Sequence, residues 1–210
     1  MTWAERANAA VERYRSGESR DLDQRQLTQL GNAAWAAGLC FLMDGREDAS
    51  EWLRRAAERY RESWEAGAPP DSWGRPIAAM KALLLAGDDG HGAAQWALDA
   101  GAADSESPIG RYAATLALLV LDRDHDALHL AGTLRERDDF PRDVADALAE
   151  LAAGENRVEY AIAIEQILDS FEQRTDFLED VAVADTVLVL QTLGASRGLA
   201  VDRPASPRLP

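Results

Sequence analysis

Apolar residues are densest between Asn156 and Leu199, and the rest of the chain reads as thinner, Ala-rich amphipathic helices that need such a partner. Residues 157–171 place Tyr160, Ala161, Ile164, Ile167, Leu168 and Phe171 at steps of three and four, the pattern of one buried helical face. Residues 181–193 are apolar almost all round (Val181, Val183, Val187, Leu188, Val189, Leu190, Leu193), which predicts a helix enclosed on several sides. Its valines suit a strand, but its length, continued through 191–196, and its helical surroundings favour a helix over 181–196.

The same periodicity predicts helices before it. The first spans 2–15, with Thr2 as N-cap, Glu5 completing a capping box, and Trp3, Ala7, Ala10, Val11 and Tyr14 on one side. A second covers about 23–43, where Gly31 and Gly38 share a face and admit a close neighbour. A third, about 48–66, aligns Ala49, Trp52, Leu53, Ala56, Ala57, Tyr60 and Trp64. Its other side carries Glu51, Arg54, Arg55, Glu58, Arg61 and Glu62 at i,i+3 and i,i+4 spacing. Gly67-Ala68-Pro69-Pro70-Asp71 is the strongest break and marks a hinge or boundary. Further helices are predicted at about 75–86, 91–100, 108–121, 124–136, 141–153 and 157–172, with Pro76, Pro108 and Pro141 in early turns and Gly198 closing the last helix.

Helix pairs recur. An apolar helix end, a Gly or Asp turn and an amphipathic helix repeat around Gly45, Gly87, Arg123 and Gly154, which lie 42, 36 and 31 residues apart. These hairpins resemble tetratricopeptide-type units without their full consensus. The expected fold is all-α: about ten helices in irregular stacked hairpins, either a solenoid or a compact bundle, forming one domain over 1–201. Residues 202–210, with prolines at 204, 207 and 210, read as a disordered tail; the three-residue spacing also suits a polyproline II ligand.

Charge changes the picture. The 210 residues carry 37 acids against 22 basic groups, a net of −15, and Lys81 is the only lysine. A GC-rich genome accounts for arginine over lysine; a salt-rich cytoplasm accounts for that and for the acidic surplus, because carboxylates keep a surface hydrated when salt screens repulsion. So negative a chain repels phosphate backbones, which argues against nucleic acid as a partner. Cys40 is the single cysteine, in keeping with a reducing cytoplasm and with no disulfide. No apolar run reaches the roughly 18 residues of a membrane span, and the first twenty residues lack the apolar core of a signal peptide.

Candidate chemistry is sparse. Asp122, Asp124 and Asp126 copy the first half of a calcium loop, but Ala127 and Thr133 stand where its glycine and bidentate glutamate belong. His125 and His129, four apart, have the spacing of two zinc ligands but lack the glutamate of the metalloprotease motif; the bland reading is an acidic helix start with surface histidines. His91, in Gly90-His91-Gly92, is read as helix entry. Asp185 interrupts an apolar helix and is expected to pair with Arg174 or Arg197. Glu165, Asp169, Glu172, Asp176, Glu179 and Asp180 form an acidic run expected to face solvent. All six tryptophans lie in the first 96 residues, and Trp35 and Trp52 sit at core spacing. Trp73, in a Pro-rich loop, is the candidate surface aromatic for a protein partner, with Arg75 and Trp64 beside it. No nucleophile elbow, Walker loop or dinucleotide fingerprint occurs, and neither a catalytic residue nor a cofactor is assigned.

The order of the Asp146-Ala147-Leu148-Ala149 helix, the Gly154 turn, the helix from Tyr160 to Arg174, Phe177-Leu178, Asp185-Thr186 and Arg197-Gly198-Leu199 resembles small all-helical proteins of archaeal halophiles with no assigned activity. It is also distantly similar to a bacterial immunity-protein family of polymorphic toxin systems, whose last helix ends in a comparable Arg-Gly-Leu. The resemblance covers about the last hundred residues and implies no functional residue. The expectation is a non-catalytic helical-repeat protein that binds another protein. Two alternatives stand beside it: an immunity-like protein neutralising a basic toxin, and a metal-dependent enzyme centred on residues 122–129.

Overall fold

Each helix begins and ends where local chemistry directs it. The computed structural model describes residues 1–19, 21–202 and 204–210. Helix α1 (Trp3–Gly17) starts on the expected box: the Glu5 carboxylate accepts from the Thr2 N–H at 2.8 Å, and Thr2 Oγ1 accepts from the Glu5 N–H at 3.2 Å. Asp23 and Gln26 build the same device at the start of α2 (Gln24–Met43). Then follow α3 (Ala49–Glu65), α4 (Gly74–Leu85), α5 (His91–Asp99), α6 (Pro108–Val120), α7 (Asp124–Arg135), α8 (Arg142–Ala153), α9 (Arg157–Glu172) and α10 (Asp185–Ser196), with short 3-10 turns at Ala102–Asp104 and Leu178–Asp180. The described residues contain no strand, and none of their helices is long and apolar enough to cross a membrane.

Successive helices pack on one another from α1 through α9. The tightest pair is α2 with α3, where Gly31 and Gly38 leave room for Tyr60 and Leu53. Trp35 and Trp52 are buried, as their spacing implies. The Pro69-Pro70 break is bridged rather than open: Trp64 and Trp73 meet across it at 5.8 Å, and Arg75 Nε donates to Ser63 Oγ at 2.8 Å. One core cluster runs from Ala7 to Leu209.

Within the stack, α4 and α8 both touch α6, so these helices share a face. The chain's own C-terminal segment occupies it. Helix α10 packs on α4, α8 and α9, and the turn before it packs on α2. Arg197, at the end of α10, reaches the Leu119 carbonyl at the end of α6 at 2.6 Å. Helix α10 is enclosed on several sides through Val187, Leu188, Val189, Leu190 and Leu193, as anticipated, but it starts at Asp185 rather than 181. Residues 181–184 are buried, and the Ala184 N–H donates to the Arg208 carbonyl at 3.0 Å. Val181 takes the extended backbone that β-branched side chains favour, and Ala184 turns the chain into α10. The tail therefore departs from its expected disorder: Leu209 is buried and Arg208 lies over the Phe177 ring. Just upstream, Glu179 and Asp180 both adopt left-handed backbone, which costs about 1 kcal/mol each. Arg13 binds the Glu179 carboxylate and Arg6 the Asp180 carbonyl, holding the turn against α1.

Cys40 is fully buried on α2, and burial pushes its thiol up to about 11. At pH 8 a thiol reagent is expected to modify the native protein only as fast as the chain opens, and at once in denaturant. Rapid native-state modification, followed by mass spectrometry, would contradict this placement.

Candidate functional site

Helices α3 and α5 both rest on α4, and the gap between them opens a groove of about 500 Å³. Its floor is apolar: Ala57 of α3, Ala79 and Leu83 of α4, Ala93 and Trp96 of α5. The gap exists because three Ala-rich faces meet there and no large side chain fills it. Its volume falls within the range of roughly 300–1,000 Å³ typical of binding clefts.

The rim belongs mostly to α3. Arg54 forms a two-pronged pair with Asp88 at 2.7 and 2.9 Å, and this guanidinium holds the Asp88 carboxyl below the usual carboxylate range. Arg55 binds Glu51 at 2.6 Å and lies over Trp52. Arg61 spreads over the Trp96 ring, 4.8 Å from its centroid. Glu58 has no ion-pair or side-chain hydrogen-bond partner among the described residues. The exposed pairs hold their partners weakly and can exchange them, since such contacts contribute about 0–1 kcal/mol each. Trp96 is 6 % exposed, and its indole N–H has no acceptor among the described residues. The lining carries three arginines and three acids, so its charge cancels on a chain whose net is −15.

The expected surface aromatics lie behind this groove, not on the surface. Trp73 is 6 % exposed, because the Pro69-Pro70 turn folds it against Trp64, which also meets Trp96 at 5.7 Å. Trp64 is partly buried, and Arg75 turns inward to Ser63 and to Gln24 Oε1, the latter at 2.6 Å. Trp73 is covered, whereas Trp64 and Arg75 remain partly exposed. The rim arginines were visible in sequence only as helix-stabilising pairs.

The acidic cluster at residues 122–129 is arranged for structure. Arg197 inserts between Asp122 and Asp124, at 3.1 and 2.6 Å, and Asp126 pairs with Arg123 at 2.7 Å. The His125 side chain is 99 % exposed and His129 is exposed too. No group of three His, Cys, Asp or Glu side chains converges on a metal position among the described residues. His91 sits at the entry of α5.

Asp185 has a different partner from either arginine expected. Lys81 of α4, the sole lysine, donates to Asp185 Oδ2 at 2.9 Å and to Thr186 Oγ1 at 2.7 Å. Arg197 is committed to α6 and α7 instead. The Lys81–Asp185 pair ties α4 to α10 and leaves no unopposed charge at that junction. Comparison with family models, curated proteins and solved structures returned no match.

Proposed function

We propose that this chain is a non-catalytic, tetratricopeptide-like helical-repeat protein that binds another protein through the groove between α3 and α5. One observation carries the reading. The face shared by α4, α6 and α8 is occupied by the chain's own α10, whereas the α3–α5 groove is open, apolar-floored and rimmed by exchangeable charge. An amphipathic helix laid into such a groove buries its apolar side and leaves its polar edges to the arginines. The acidic surplus outside the groove fits a salt-adapted cytoplasm, where it keeps the remaining surface solvated.

Gly92 gives a direct test. It lines the groove, and a side chain added there meets nothing within 4 Å. A photo-crosslinking residue at position 92, expressed in the native host, should capture one protein species in stoichiometric yield. The same residue at Gly132 on α7, equally open, is the control. Equal yields from the two positions would end the proposal.

A further inference from the structure

The occupant of the groove can be sought on the molecule itself. Two of the large apolar side chains left in solvent lie one turn apart on α9: Val158, 66 % exposed, and Ile162, 43 % exposed. Around them Glu155, Glu159, Glu165 and Asp169 are exposed, and no described residue forms an ion pair with any of their carboxylates. This is an apolar ridge edged with unneutralised acids. The α3–α5 groove offers an apolar floor whose edge carries Arg54, Arg55 and Arg61 among Glu51, Glu58 and Asp88, so its rim is neutral where most of the surface is acidic.

Building on the groove reading above, we propose that the groove receives helix α9 of a second copy of this chain. Charge favours the site. Copies of a −15 chain repel over most of their surfaces, and an acidic helix meets less opposition where the local charge cancels and where Arg54, Arg55 and Arg61 can exchange their exposed partners Asp88, Glu51 and Glu65 for it. Groove and ridge are different surfaces, so two copies either exchange them reciprocally about a two-fold axis or join head to tail into a ring or open chain.

Two variants test this by complementation. Gly92→Trp fills the groove of one copy without adding charge and leaves its ridge intact, while Val158→Asp with Ile162→Asp spoils the ridge and leaves the groove intact. Analytical ultracentrifugation should show wild-type mass rising with concentration, each variant remaining monomeric, and an equimolar mixture of the two forming a 1:1 heterodimer. Circular dichroism checks folding, and Arg61→Glu replaces Gly92→Trp if the latter misfolds; it should weaken association about tenfold or more, the scale of one lost charge contact. Wild type that is monomeric at all concentrations, variants that still associate, or a mixture that fails to pair would each overturn the proposal. If self-association is absent while position 92 still captures a different protein, the groove reading stands and only the second copy is ruled out. If both are absent, both fall.

Discussion

Lys81→Met is expected to lower stability by about 3 kcal/mol, because it leaves the Asp185 carboxylate without its cation at a largely buried junction. For a chain of this length that is a fall in Tm of about 6–12 °C. Asp185 stands in the first turn of α10, where the helix N-terminus favours a negative charge by about 0.3–1 kcal/mol; this offsets part of the loss but not most of it. Adding Asp185→Leu to Lys81→Met should recover most of the stability, since the charge that lacked a partner is then gone.

The pH dependence separates the two forms. Burial pulls the Lys81 ammonium down, but Asp185 and Tyr112 beside it more than offset this and lift it above its ordinary 10.5. A cation raised in the folded state stabilises at every pH below its unfolded value, and loses that contribution only as pH rises through the folded value. The wild-type pair therefore holds from neutral pH to about 10. In Lys81→Met this contribution is absent, so the gap to wild type should hold from neutral pH to about 10 and close only as the wild-type ammonium is lost above that. A thermal-unfolding series across pH checks this, and a gap that already closes between about pH 7 and 10 would refute the assignment.

Gly38→Val is expected to cost about 3 kcal/mol. A Cβ at this position would stand 2.7 Å from Leu53 Cγ and 3.1 Å from the Leu53 backbone nitrogen, so relief requires α3 to move away from α2. Overpacking of this kind costs about 1–3 kcal/mol, and the two further methyl groups of valine take it to the upper end. The helix-propensity gain over glycine recovers only a few tenths. Gly132→Ala is the control: it too replaces a helical glycine, but in open space, and should raise stability by up to about 1 kcal/mol. Chemical denaturation of the two variants should therefore shift in opposite directions.

Much of the local architecture was legible from residue order. Thr2 with Glu5, the Gly31–Gly38 face, buried Trp35 and Trp52, and the enclosed helix ending near Ser196 were all readable, and all are present. Each depends on neighbours within a turn or two, where spacing along the chain is spacing in space. The start of α10 at Asp185 rather than 181 was not legible, because residues 181–184 meet a distant partner, the Arg208 carbonyl 24 residues beyond Ala184.

The groove was not legible, for a related reason. Ala57, Ala79 and Ala93 look like any other small core residues; whether an alanine stripe is filled or faces a gap depends on how three helices are placed relative to one another. Trp73 shows the converse, since a loop position predicts exposure until the Pro69-Pro70 turn folds it onto Trp64. Ion-pair partners escaped in the same way: 104 residues separate Lys81 from Asp185, and 73 separate Arg197 from Asp124. Residue order alone settled which segments are helical and which side of most of them is apolar, because those follow from local backbone and side-chain energetics. Packing settled which charges meet, which tryptophans are covered and where an opening remains, because those contacts join residues far apart in the chain and depend on how whole helices are placed against one another.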